Sequence, residues 1–256
     1  MSRGALAGLR IAVTRTPEQA SVLMESLERE GAEVMSFPLI RIEPVMDPPA
    51  LAATLRQGWD WVVFTSANAV RLSAAALGTQ EGALTLGQVL GRSRIAAVGP
   101  ATAGAAKQNG LVMTAMPDTF IGDEVVAAME AAGSLRGRHV LWPRAEAARD
   151  VVTQALRSAG ATCEAPVVYR SVPDADSAQD LARRILQHGV DVVTFTSPSC
   201  VRSLAAVLPE LRGVKVATIG PVTADAARGA GYPVDIVAQD YTASGLVQAL
   251  LDAHHQ

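Results

Sequence analysis

Asp60-Trp61-Val62-Val63-Phe64-Thr65-Ser66-Ala67-Asn68-Ala69-Val70-Arg71 returns later in the chain as Asp191-Val192-Val193-Thr194-Phe195-Thr196-Ser197-Pro198-Ser199-Cys200-Val201-Arg202. Each copy reads as a short apolar strand that ends in Phe-Thr-Ser and turns into a helix. The hydroxyls and the first helical N–H groups then project from the carboxyl edge of a sheet, where open α/β sheets bind their ligands. Two such edges in one chain suggest a cleft with two walls.

Working outward, the flanking segments repeat as well. Leu9-Arg10-Ile11-Ala12-Val13-Thr14 predicts a buried strand, followed by Arg15 and a helix with Thr16 at the N-cap, Pro17 at the first position and Gly31 closing it. Arg138-His139-Val140-Leu141-Trp142-Pro143-Arg144 repeats that strand and its terminal arginine; the helix returns at 151–159, and Gly160-Ala161 matches Gly31-Ala32. Pro166-Val167-Val168-Tyr169-Arg170 stands where Pro38-Leu39-Ile40-Arg41 stood, and Val216-Ala217-Thr218-Ile219-Gly220-Pro221-Val222-Thr223 matches residues 95–102. Between these lie a strand at 33–37 that continues to Pro44, helices at 50–57, 68–77 and 122–132, a strand at 112–115 and an irregular stretch at 79–91. Tyr241-Thr242-Ala243-Ser244-Gly245-Leu246 echoes Phe120-Ile121-Gly122-Asp123-Glu124-Val125. The period is about half the chain, far longer than a solenoid repeat.

Strands alternating with helices predict a doubly wound parallel sheet with helices on both faces, made twice. The repeat leaves two pairings open. Each half can fold alone, or the opening strand-helix unit of one can complete the other's sheet. The stretches 37–43 and 165–172 are long, carry proline at both ends and read as linker strands between domains, which favours the exchanged arrangement.

Composition narrows the function classes. Of 256 residues 49% are apolar, 18% charged and 4% aromatic, ordinary for a globular α/β protein. A net charge of −3 lacks the basic footprint of a nucleic-acid or membrane-surface binder, so an anionic ligand has to be held by local donors. Cys163 and Cys200 are far apart, have no metal-ligand spacing, and read as reduced thiols. No signal peptide or ~20-residue apolar span is present, and a soluble, cytoplasmic protein is expected.

The usual catalytic equipment is missing: no G-x-S-x-G, no P-loop and no G-x-G-x-x-G after a strand. His139 begins a strand, His188 sits at a helix end, and His254 and His255 lie at the C-terminus without metal-ligand partners. What the sequence offers is a set of strand-to-helix turns: Thr65-Ser66, Gly99-Pro100-Ala101-Thr102, Thr196-Ser197-Pro198-Ser199 and Gly220-Pro221-Val222-Thr223. Helix N-termini attract anions because unpaired donors and the dipole point the same way. Each turn is equally compatible with simple N-capping; four in two matched pairs favour a ligand with several anionic groups. Arg15 and Arg144, at equivalent strand ends, can add charge-assisted hydrogen bonds or form surface salt bridges. Tyr169, in the presumed crossover, either packs against a domain or offers an uncharged phenolic proton.

Taken together, Ile11-Ala12-Val13-Thr14-Arg15, Val63-Phe64-Thr65-Ser66-Ala67-Asn68-Ala69-Val70, Ala97-Val98-Gly99-Pro100-Ala101-Thr102-Ala103, Val168-Tyr169-Arg170, Phe195-Thr196-Ser197-Pro198-Ser199 and Ile219-Gly220-Pro221-Val222-Thr223-Ala224 resemble the uroporphyrinogen-III synthase family, in the family's order over nearly the whole chain. The resemblance implies two similar α/β domains, the second inserted in the first: residues 1–37 with 172–256, residues 44–165, and linker strands 38–43 and 166–171. It implies a monomeric enzyme without cofactor or metal, acting on hydroxymethylbilane, a linear tetrapyrrole with eight carboxylates. It also implies transient contact with the preceding enzyme, hydroxymethylbilane synthase, and no nucleic-acid or membrane partner. In the family, loss of the terminal hydroxyl gives an azafulvene cation, and a spiro intermediate then inverts the last ring. Tyr169 matches the tyrosine proposed to assist departure of the hydroxyl. Thr65, Ser66, Thr102, Ser197, Ser199 and Thr223 match carboxylate-binding positions, with Arg15 and Arg144 as supporting cations. Arg144-Ala145-Glu146-Ala147-Ala148-Arg149 departs from the family, which usually has a glycine in this turn, and close backbone approach to substrate there is put in question. A non-catalytic cytoplasmic sensor for a polyanionic small molecule is the second reading of the same edges.

Overall fold

The computed structural model describes residues 4–78, 84–117 and 124–254. In chain order the elements are β1 (Arg10–Val13), α1 (Pro17–Arg29), β2 (Glu33–Ser36), β3 (Ile40–Pro44), α2 (Pro48–Leu55), β4 (Trp61–Phe64), α3 (Ala67–Leu77), α4 (Leu86–Leu90), β5 (Arg94–Ala97), α5 (Pro100–Gln108), β6 (Met113–Ala115) and α6 (Glu124–Ala132). They continue with β7 (His139–Leu141), β8 (Arg144–Ala145), α7 (Val151–Ser158), β9 (Thr162–Glu164), β10 (Val167–Pro173), α8 (Ala175–Leu186), β11 (Val192–Phe195), α9 (Pro198–Ala205), β12 (Lys215–Thr218), α10 (Pro221–Gly229), β13 (Ile236–Val237) and α11 (Ala243–His254).

The chain divides into two compact units, Met1–Arg41 with Val172–Gln256, and Ile42–Ser171. The first holds a five-stranded sheet of order β13-β12-β11-β1-β2, the second a five-stranded sheet of order β6-β5-β4-β7-β9. All recorded pairs in both are parallel. Repeat-equivalent strands occupy equivalent places, so one spatial order is built from two chain orders. In the discontinuous unit the opening β1-α1-β2 unit joins the sheet of the last third of the chain, which is the exchanged arrangement. A three-stranded sheet of order β3-β10-β8 carries the two crossings.

Alternation sorts the strand residues between two apolar layers, as expected for strands buried on both faces. In β4, Trp61 and Val63 pack with Val125, Met129, Val152 and Leu156 of α6 and α7. Val62 and Phe64 point the other way, onto Leu55, Val70, Leu77 and Ala106 of α2, α3 and α5. In β1, Ile11 and Val13 join Leu23 and Leu27 of α1 and Leu246 and Leu250 of α11, while Ala12 faces Leu181, Ile185, Val201 and Leu204 of α8 and α9. Helix ends follow the sequence signals. Thr16 holds the N-cap position of α1 with Pro17 inside it but makes no side-chain cap hydrogen bond, and Gly31 and Gly160 take φ of 88° and 81° just past α1 and α7.

Some expectations shift. The strand read as continuous through 33–44 breaks at Phe37–Leu39, its parts joining different sheets, because Phe37 N–H still bonds Val13 C=O while Asp174 N–H takes Leu39 C=O. The strand read through 138–144 stops at Leu141, and Arg144 belongs to the crossing sheet. Within the irregular stretch, residues 79–83 lie outside the described residues, and a capping box between Thr85 and Gln88 opens α4. Residues 118–123, which carry the echo of Tyr241 and the first residues of the expected 122–132 helix, also lie outside them, as does His255. Among the described residues no helix is long and apolar enough to cross a membrane.

Both sheets pin their two central strands at the amino end by the same device. Asp60 accepts the His139 N–H at 2.9 Å and the Arg138 guanidinium at 2.9 Å. Asp191 accepts the Arg10 N–H at 2.8 Å and its guanidinium at 2.7 and 3.0 Å. The backbone bond from His139 holds the Asp60 carboxyl below the usual carboxylate range, and the Arg10 guanidinium does the same for Asp191. Asp60→Asn and Asp191→Asn should each lower Tm at neutral pH by about 2–4 °C, the loss of about 1 kcal/mol in a chain of this size. A depressed native pKa contributes stability above the unfolded value of about 4 and loses it as pH falls through the native pKa. The Tm gap between wild type and either variant should therefore narrow as the pH is lowered below about 4, as thermal melts across an acid series would show.

Candidate active site

In doubly wound sheets the ligand edge lies where the strand order reverses. In Ile42–Ser171 that reversal falls between β4 and β7, since the chain runs from β4 outward to β5 and β6 and then returns to β7 and β9 on the other side. Thr65 and Ser66 follow β4; Trp142, Pro143 and Arg144 follow β7. In the other unit the reversal falls between β1 and β11, with Thr14, Arg15 and Thr16 after one strand and Thr196, Ser197 and Ser199 after the other.

At the β4/β7 edge the hydroxyls are given a direction. Ser66 is the N-cap of α3, and its Oγ accepts from Asn68 N–H at 3.1 Å. It also accepts from the Tyr169 phenol at 2.8 Å. With both acceptor sites used, the Ser66 proton is the part left to interact outward. The Trp142 indole N–H donates to Thr65 Oγ1 at 3.1 Å, which biases that hydroxyl the same way. Tyr169 is 6% exposed and packs in the α2–α5 layer, so its phenol reaches the edge through Ser66. Half-buried Arg144 lies with Cζ 5.6 Å from the Trp142 ring centroid, donates to Ala148 C=O at 2.9 Å and Ala165 C=O at 3.3 Å, and meets Asp150 at 3.4 Å.

The glycine-free turn after Arg144 is unstrained. Ala148 N–H bonds Ala145 C=O at 3.1 Å, Glu146 N–H bonds Tyr169 C=O at 2.8 Å, and among the described residues only His188 takes positive φ without being glycine. One turn further along, α5 begins at Gly99 with no side-chain cap. The Thr102 hydroxyl is buried, so this helix end presents backbone N–H groups instead.

The β1/β11 edge uses the same positions with different chemistry. Thr14 and Thr194 hydroxyls close the joint by donating to Thr194 C=O at 2.7 Å and Ala12 C=O at 3.1 Å. Ser197 caps α9, accepting from Cys200 N–H at 3.4 Å, and shares a 3.1 Å contact with Ser199. Cys200, read from sequence as a small apolar residue, accepts from Ser197 Oγ at 3.2 Å and donates to Thr14 C=O at 3.5 Å; burial pushes its thiol up. α10 starts at Gly220, also without a side-chain cap, and Thr223 is buried like Thr102.

Arg15 is the outlier. Its Nε is buried with no hydrogen-bond partner, as is Thr16 Oγ1, and burial lowers its pKa. A guanidinium keeps its charge even so. The fold thus keeps a partly buried cation near Cys200 with its Nε unpaired. Trp142 did not stand out in the sequence, where Thr16 was read only as an N-cap; for Trp142 the signal was an indole at the place where the other repeat has Val13.

Recesses elsewhere fit a polyanion less well. A 320 Å³ recess beside β13 and α11 is lined by Asp235, Asp240 and Asp252, the wrong charge. A 470 Å³ recess at the amino edge of β4 and β5 is lined by Arg92, Arg94 and Arg138, of which Arg94 and Arg138 are committed to Ala132 C=O and Asp60.

The sequence model of the family described as Uroporphyrinogen-III synthase HemD matches residues 21–248. The chain belongs to the uroporphyrinogen-III synthase family. A putative uroporphyrinogen-III synthase of Methanothermobacter thermautotrophicus is 31% identical over 252 residues, covering 94% of this chain and 96% of that protein. The uroporphyrinogen-III synthase of Synechococcus elongatus is 28% identical over 262 residues, covering 98% and 97%. Among solved structures, the uroporphyrinogen-III synthetase of Helicobacter pylori shares the fold with a TM-score of 0.64 at 16% identity, covering 95% of this chain and 99% of that one. A mutant uroporphyrinogen III synthase of Thermus thermophilus does so with a TM-score of 0.59 at 22% identity, covering 97% and 99%.

For this member of the uroporphyrinogen-III synthase family, the orphaned Arg15 gives a test that needs no substrate. Arg15→Met keeps the aliphatic stem and removes the unpaired Nε. It should raise Tm by about 2–4 °C, corresponding to about 1 kcal/mol of relieved desolvation. An unchanged or lower Tm in differential scanning calorimetry would mean that Arg15 is supported by the fold itself.

Proposed function

We propose that the chain is a cyclising hydro-lyase that converts hydroxymethylbilane to uroporphyrinogen III, with loss of one water and inversion of ring D. The observation that carries this reading, within the family, is the Tyr169–Ser66–Asn68 chain, in which a buried phenol backs a hydroxyl whose own proton is turned outward. Departure of the terminal hydroxyl as water needs one proton. Ser66 can deliver it and recover one from Tyr169 at 2.8 Å, so the phenol acts through the serine. The azafulvene cation is attacked by the substituted carbon of the last ring; the spiro intermediate opens and re-closes, and the proton released on final ring closure restores the phenol.

Carboxylate binding rests on donors. Thr65 and the α5 end with Thr102 serve the inserted unit, with Arg144 behind them. Arg15, Ser197, Ser199 and the α10 end with Thr223 form the second carboxylate-binding edge. Because the bilane closes by itself to the uninverted isomer, the enzyme's task is geometry and charge placement, and binding energy is directed to the transition state that inverts the ring. On this reading the enzyme acts as a monomer without a cofactor and takes its bilane through transient contact with hydroxymethylbilane synthase.

The deciding experiment generates hydroxymethylbilane in situ, adds the protein, oxidises the products and separates type I from type III uroporphyrin. Predominant type III is expected; only type I would reduce the protein to a binder. Tyr169→Phe should lower type III turnover by about 10–100-fold, at or below the lower end for a general acid, with an unchanged far-UV spectrum. Unaltered turnover would remove Tyr169 from the reaction.

A further inference from the structure

We propose that Trp142 is a positioning residue that sets the Thr65 hydroxyl and the Arg144 guanidinium for carboxylate binding, an inference that rests on the reading of the β4/β7 edge given above. The side chain is 1% exposed and bridges the topological switch point, its indole N–H reaching Thr65 Oγ1 at 3.1 Å across the two central strands. Packing alone does not call for an indole here. The equivalent place in the other sheet is taken by Val13, which is fully buried without any polar atom.

A buried indole N–H needs an acceptor, and a backbone carbonyl is the simplest one. Trp59 follows that course, donating to Thr54 C=O at 2.9 Å. Trp142 instead uses a side-chain hydroxyl at the open edge of the sheet. That choice occupies a Thr65 lone pair and favours the orientation in which the hydroxyl proton faces away from the protein, which is the orientation a carboxylate needs. The same ring carries Arg144 on its face, Cζ 5.6 Å from the centroid, while two guanidinium N–H groups are tied to Ala148 and Ala165 carbonyls. One rigid side chain therefore orients a neutral donor by its edge and a charged donor by its face.

The test is a double-mutant cycle with Trp142→Phe, which keeps an aromatic face and loses the N–H, and Thr65→Val, which keeps the shape and loses the hydroxyl. In the type III assay each single variant should raise KM about five-fold, the worth of one directed hydrogen bond, with the effect on KM rather than kcat. The double variant should be no worse than Thr65→Val alone. An additive cycle, or a Trp142→Phe variant that lowers Tm without moving KM, overturns the proposal while leaving the cyclase reading intact. A wild-type chain that gives only type I product overturns both. Independently of how Trp142→Phe folds, the Trp142 indole N–H resonance of the ¹⁵N-labelled wild-type protein, identified as the one displaced by Thr65→Val, should shift when uroporphyrin III is added; a resonance that stays still while others move counts against the proposal.

Discussion

Each sheet depends on the pairing of its two central strands, and those strands come from segments far apart in sequence. The amino-end clamp joins Asp191 to Arg10 across 181 residues in the discontinuous unit and Asp60 to His139 across 79 in the inserted one. Closing the longer loop costs only about 0.7 kcal/mol more, because loop entropy grows with the logarithm of length. The exchanged topology is thus cheap in equilibrium terms, and what makes it specific is the detail of the joint. An aspartate meets backbone and guanidinium at one end of the strands, and hydroxyls bridge them at the other. Between those ends both faces are apolar, so the polar chemistry of the chain is confined to the edges.

That confinement explains how a protein of net charge −3 can offer the carboxylate-binding edges proposed above. No broad positive field is needed when individual donors are turned outward by their inward partners. Ser66 is polarised by Tyr169 and Asn68, Thr65 by Trp142, and the α5 and α10 ends expose N–H groups because glycine N-caps bring no side chain to cover them. Such donors retain strength at a sheet edge because their alternative, burial without a partner, is costly. Arg15 carries that logic furthest, with a desolvated Nε whose partner the folded chain does not supply.

The fold was legible in the sequence because its signals are redundant. The Asp-to-Arg repeat, the glycine after α1 and its copy after α7, and the Gly-Pro turns before α5 and α10 each say the same thing twice. The prolines around 37–43 and 165–172 pointed to the exchange between units, since strand interiors disfavour proline. Side-chain polarity at the site was less legible. Ser66 and Tyr169 were candidates separately, but their 2.8 Å bond joins residues 103 apart and no local pattern encodes it. Trp142 carried no reading of its own and Cys200 was read as a reduced thiol, because a sequence does not say where an indole N–H or a thiol finds its acceptor. Thr102 and Thr223 were read with either a hydroxyl or backbone N–H groups as donors, and burial of both side chains narrows that reading to the backbone N–H groups.

The duplicated scaffold also shows where the two copies have parted. Strand order, clamp and caps are held in common, and the differences gather at the carboxyl edges. Where the inserted unit has Trp142 and Tyr169, the repeat places Val13 and Ile40 in the other; where it has Ala69, the other has Cys200. One edge therefore gained a phenol and an indole, a pair that can hold and direct a proton without carrying charge at neutral pH. The other closes its strand joint with the reciprocal Thr14 and Thr194 bonds and keeps the Arg15 Nε unpaired. A substrate that must both lose a hydroxyl and have its many carboxylates held asks for these two kinds of edge. Divergence after duplication supplies them at little cost to the core, since the replaced residues lie at strand ends, in the crossing strand or in the first turn of a helix while the central strands pair as before.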